Sequence, residues 1–100
     1  MSLTMLIRPE AEADLAEAYT WYEERVPRLG SDFLLNIEAA LSSIQRNPEA
    51  YPLIYKNVRR CLTRHFPFGI FCVFKGEKII VVAVFHAKRD PRKWRERVKC

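Results

Sequence analysis

Lysine is missing from the first fifty residues of this 100-residue chain, and acidic residues are scarce in the second fifty. Residues 1–50 carry four Arg against nine Asp plus Glu, a net of −5, and residues 51–100 carry thirteen Lys plus Arg against three Asp plus Glu, a net of +10. These halves sum to the formal charge of +5. So uneven a split points to one basic face aimed at something acidic, either nucleic acid or an acidic protein partner. Glycine is also scarce. There are only three, none in a phosphate-cradling loop, so no P-loop or dinucleotide fingerprint is present and no cofactor is expected. The three cysteines, Cys61, Cys72 and Cys100, are odd in number and form no C-x-x-C pair. That excludes a disulfide framework and a zinc site as first readings and leaves reduced core thiols. If a turn lies near Pro67, Cys61 and Cys72 face each other across a hairpin. No apolar run approaches the roughly 20 residues of a membrane span, and no signal peptide with a cleavage site is visible. A cytoplasmic location, with no membrane and no small-molecule substrate, is expected.

What remains is an ordinary globular balance, 49% apolar and 29% charged. One domain over residues 1–100 fits this length. Residues 1–4 read as an expression remnant or an alternative start ahead of Met5. Met5 to Arg8 is a first strand, stopped by Pro9. Pro9 suits the first position of a helix, where its missing N–H costs nothing. Glu10, Glu12 and Asp14 then sit at the positive end of the helix dipole. Leu15, Ala18, Tyr19, Tyr22 and Val26 form one helical face. Pro27 and Gly30 break it. Ser31 is placed to cap a second helix, with Phe33, Leu34, Ile37, Ala40, Leu41 and Ile44 as its apolar set. Asn47-Pro48 ends that helix. The short linker implies an antiparallel helical hairpin. Trp21 and the tyrosines read as core or helix–helix contacts.

Residues 48–57 read as a loop with an ordered bend at Tyr51-Pro52-Leu53. Val58 to Phe66 is a strand that puts Arg60, Leu62 and Arg64 on one side and Arg59, Cys61 and Thr63 on the other. Ile70 to Lys75 and Lys78 to His86 form a hairpin about Gly76-Glu77. The last strand is apolar enough to be buried on both faces. A short basic helix follows Pro91. The fold class is α+β, in the order β-α-α-β-β-β-α, with the helical hairpin packed on a small, antiparallel-rich sheet.

Candidate binding residues follow the positive charge. The second half offers Arg59, Arg60 and Arg64 on a strand, then His86, Lys88, Arg89, Arg92, Trp94, Arg95 and Arg97 in the closing segment. Trp94 also reads as an anchor that docks the last helix on the core. His86, beside Lys88 and Arg89, is a candidate general acid or base. Arginines around it would stabilise the charge that builds up during RNA cleavage. A histidine bonded to the turn that follows it is the plainer reading.

PEAEADL and WYEE in the first helix, DFLLNIEAAL in the second, the RHFPFGIFCVF hairpin and the closing VFHAKRDPRKWRER together resemble the RelE/ParE superfamily of bacterial toxins. The ParE-like, plasmid-stabilisation branch is the most similar. The resemblance covers about residues 5–97. It implies a toxin of a type II toxin–antitoxin module, neutralised by a cognate antitoxin that lays a largely acidic, otherwise disordered segment over it. ParE-like members poison DNA gyrase without a hydrolytic site. RelE-like members cut messenger RNA on the ribosome. Carried over residue by residue, Arg64 and Arg89 match positions the family keeps basic, and His86 is the late acid/base candidate apart from Glu96. No tyrosine follows Tyr55, and Val98-Lys99-Cys100 brings no late aromatic or histidine of the kind many ribonuclease members carry. That departure favours gyrase as target, with messenger RNA cleavage the alternative and a toxin relic or plain binding module the third reading.

Overall fold

The computed structural model describes residues 3–88 and 91–98. Strand β1 (Thr4–Ile7) leads through Arg8 into α1 (Pro9–Arg25) and α2 (Leu29–Arg46). A 3₁₀ turn at Pro48–Ala50 follows, then β2 (Leu53–Tyr55), β3 (Val58–Leu62), β4 (Phe68–Lys75), β5 (Lys78–His86) and α3 (Pro91–Val98). The strand order across the sheet is β1-β5-β4-β3-β2. β1 runs parallel to β5 and every other neighbour is antiparallel. The fold is α+β, as the sequence suggests, with β2 added inside the segment read as a loop. Leu3 and Thr4 take part in the fold. Leu3 packs on the core and its carbonyl accepts the Gln45 amide at 2.6 Å, while Thr4 opens β1.

Pro9 occupies the first turn of α1, with Glu10 and Glu12 beside it, as its composition predicts. The start of α2 differs from expectation. It begins at Leu29, so Gly30 and Ser31 lie inside it, and Ser31 makes no capping bond. The Glu23 carboxylate of α1 supplies the cap instead, accepting the Arg28 and Gly30 N–H groups at 3.0 Å each. Gly30 is needed for closeness: a Cβ there would lie 2.8 Å from the Tyr19 carbonyl oxygen. Arg28 absorbs the sharp turn with φ of 75°.

The sheet separates two apolar clusters. On the helical-hairpin side, Ala11, Ala18, Phe33, Ile37 and Ile44 pack on Cys61, Ile70, Cys72, Ile79, Val81 and Val84. On the far side, Trp94 of α3 packs with Val58, Phe71, Val73, Val82, Ala83 and Phe85. β5 is therefore buried on both faces. Its register against β4 shifts at one point: Phe71 pairs with Ala83 and Cys72 with Val81, leaving Val82 as an extra residue. This bulge reverses the alternation. Ile79 and Val81 face the hairpin before it, and Val84 faces the hairpin after it. His86 consequently ends on the hairpin side, where uninterrupted alternation would have put it beneath α3.

β3 stops at Leu62, earlier than Phe66, because the chain closes a turn on itself. The Thr63 hydroxyl donates to the Phe66 carbonyl at 2.6 Å, and the Thr63 and Phe68 N–H groups donate to the Phe68 and Phe66 carbonyls at 2.9 and 2.8 Å. Gly76 takes the positive φ, 64°, that its hairpin turn requires.

Candidate functional site

Nine of the ten basic and aromatic residues singled out from the sequence lie among the described residues, and these separate into three groups. Arg59, Trp94 and Arg97 hold the fold. Arg59 lies on the hairpin side of β3 and donates to the carbonyls of Tyr51 at 2.6 Å and Glu49 at 3.4 Å, tying down the segment before β2. Trp94 is buried, stacked on Phe71 at 4.7 Å and edge-on to Tyr55 at 5.8 Å.

Arg97 makes a two-pronged ion pair with Asp14 of α1, at 2.7 and 3.0 Å, and also donates to the Val82 carbonyl at 3.2 Å. Asp14 in turn accepts the Val84 N–H at 3.0 Å. The location explains the arrangement. β1 covers β5 only as far as Val81, where the Arg8 N–H closes the ladder at 3.1 Å. Beyond Val81 the outer edge of β5 has no neighbouring strand among the described residues. An exposed edge invites pairing with other chains. Asp14 and Arg97 occupy its first donor and acceptor.

A second group forms the basic face on the α3 side of the sheet. The Arg60 side chain lies over Gly69, within 3.3 Å of where a Cβ would stand. Arg95 and Lys56 converge on the Tyr55 ring, at 4.8 and 5.3 Å from its centroid. Arg95 Nε is buried there with no hydrogen-bond partner among the described residues. Arg92 and Lys93 are exposed on α3, and Leu53 and Leu62 are 55% and 57% exposed at the β2–β3 edge of the sheet. The alternation read from the sequence for β3 holds here, with Arg59 and Arg60 on opposite faces.

The third group gathers at the far end of the strands. The Ala87 N–H donates to the Pro67 carbonyl at 2.7 Å, joining the turn that carries exposed Arg64 to the one that carries exposed Lys88. Arg89 lies outside the described residues. His86 points into a cleft of about 280 Å³ between α1 and the end of the sheet, lined by Asp14, Glu17, Ala18, Trp21, Tyr22, Phe68 and Val84. Its Nδ1 accepts the Lys88 N–H at 3.1 Å, so the neutral ring carries its proton on Nε2. Its ring meets Phe68 edge-on at 5.5 Å. Among the described residues, the ionisable groups sharing this cleft with His86 are two carboxylates, of which Asp14 is already paired, and the Tyr22 phenol, which burial pushes up from its ordinary value.

Trp21 is not a core residue. It is 50% exposed, with the Arg25 guanidinium 3.5 Å from the centre of its ring. Sequence reading missed Asp14, Glu17 and Trp21 as a group because they resemble any solvated helix face. Their spacing of three and four residues along α1 was the available signal. The two described thiols, Cys61 and Cys72, offer no nucleophile. Cys61 pairs in register with Ile70 and Cys72 with Arg59, so the two cysteines sit diagonally rather than opposite each other. Both are free and buried, and burial pushes the Cys72 thiol up to about 11. Among the described residues no cluster of His, Cys, Asp or Glu could hold a metal ion, and no helix is long and apolar enough to cross a membrane.

Comparison with known proteins bears on this geometry. Residues 5–91 match the family model described as the ParE toxin of the type II toxin–antitoxin system parDE. Toxin ParE2 of Mycobacterium tuberculosis, from strains CDC 1551 / Oshkosh and ATCC 25618 / H37Rv, is 25% identical over 92 residues, 91% of this chain and 88% of that protein. Among solved structures, a chain of the chromosomal ParDE system from P. aeruginosa superposes with a TM-score of 0.76 at 19% identity, covering 84% of this chain and 95% of its own.

Proposed function

Since the chain belongs to the ParE toxin family of type II toxin–antitoxin systems, we propose that it acts by binding and poisoning DNA gyrase and that a cognate antitoxin holds it inactive. The toxin offers gyrase and antitoxin a basic face rather than a bond-cleaving site. The observation that supports this most is the setting of His86. A group that helps cleave a phosphodiester needs cations around it to stabilise the charge that develops. Among the described residues, the charged side chains lining the cleft with His86 are Asp14 and Glu17, and the Arg97 cation nearest it is already paired with Asp14. Arg60, Arg95 and Lys56 face the opposite side of the sheet, where they suit docking of an acidic surface.

The test is growth arrest on induced expression without antitoxin. His86→Ala is expected to arrest growth as the parent does. A variant that folds and binds antitoxin but no longer arrests growth would overturn the non-hydrolytic reading. Messenger RNA on translating ribosomes would then become the substrate to examine.

A further inference from the structure

The cleft beside His86 joins three features that the basic face does not explain. The first is backbone. The Val84 N–H points away from β4, since it reaches Asp14. By the alternation of a ladder, the Val84 carbonyl and the His86 N–H point the same way, along an edge that β1 leaves uncovered after Val81. An extended segment can add there as a further strand. The second is size and lining. About 280 Å³ with Trp21, Phe68 and Val84 in its wall holds one or two side chains, less than the ~300–1,000 Å³ typical of a small-molecule site. The third is sign. Glu17 is exposed at the rim, Glu24 lies two turns along the same helix in a shallow groove with Trp21, and neither has a cationic partner among the described residues. The occupant this complements is basic, the reverse of what the α3 face attracts.

We propose that this cleft receives an extended stretch of the antitoxin, added along the β5 edge at the Val84 carbonyl and the His86 N–H, beyond the Val84 N–H that Asp14 already holds, with an apolar side chain against Phe68 and Trp21 and a lysine or arginine beside Glu17. The inference rests on the antitoxin reading above and extends it. The antitoxin must be mixed in charge, acidic where it crosses the α3 face and apolar-basic where it rounds the sheet edge.

The test uses the full chain, alone and in complex with its cognate antitoxin, by amide hydrogen exchange. Affinity is measured for the parent and for Glu17→Lys, an exposed helical position where the fold is retained. Complex formation is expected to slow exchange in peptides covering residues 14–22 and 82–87. Glu17→Lys is expected to weaken binding about tenfold. Protection confined to residues 53–75 and 91–98, or unchanged affinity for Glu17→Lys, overturns the cleft assignment and leaves the antitoxin reading standing. No complex at all defeats both. Slowed exchange at the cleft in the toxin alone, growing with its concentration, would make a second copy of this chain the occupant and overturn the proposal.

Discussion

Arg97 is one of five cations in the last ten residues, and nothing in its sequence context separates it from the others. The structure does. Its guanidinium binds both oxygens of Asp14 and the Val82 carbonyl, with the Asp14 side chain 9% exposed. Planar two-pronged pairing is geometry that a lysine cannot reproduce. Arg97→Ala is expected to lower stability by about 2–4 kcal/mol, because it leaves a largely covered carboxylate with only the Val84 N–H and takes the side-chain donor from the Val82 carbonyl. Denaturant unfolding followed by circular dichroism reads this directly, and Arg97→Lys is expected to fall between the two. A loss within 0.5 kcal/mol would place Arg97 with the solvated cations of α3. The sequence concealed this role because the partner is 83 residues away, on an acidic helix face that looks fully solvated.

At the scale of elements, the helical hairpin was readable and its junction was not. Period and proline gave α1 and α2, but the cap came from Glu23 across the turn, and Gly30 proved to be a contact rather than a break. Gly30→Ala tests that account through two opposed effects. Alanine in a helix interior normally gains about 1 kcal/mol over glycine. Here the added Cβ meets the Tyr19 carbonyl oxygen at 2.8 Å, and backbone cannot swing aside. Overpacking costs about 1–3 kcal/mol, so a net drop in Tm of roughly 5 °C is expected from calorimetry. An unchanged or raised Tm would mean the helices separate freely. β5 teaches a related lesson. Its existence, length and double burial are legible in IIVVAVF. The extra residue at Val82 is not, since every nearby side chain is apolar and no glycine or proline marks the bulge. That one residue decides which side of the sheet His86 faces.

For the whole molecule, the charge split between halves becomes a division in space. The hairpin carries the acidic face and the α3 side of the sheet carries Arg60, Arg95 and Lys56. Composition made the division legible. Which cations remain available to a partner was not legible, because Arg59 and Arg97 are consumed by the fold and alternation alone could not reveal it. Such a dipolar surface orients an approaching acidic partner over about a Debye length, some 8 Å at physiological salt. Under the proposed function, antitoxin and gyrase would compete for this basic face.

Gyrase poisoning is tested by a supercoiling assay with purified protein, DNA gyrase from the same source, relaxed plasmid and ATP. Inhibition with accumulation of broken plasmid, relieved when the cognate antitoxin is added first, is the expected outcome. Full supercoiling in the presence of folded protein at an excess over gyrase would contradict it.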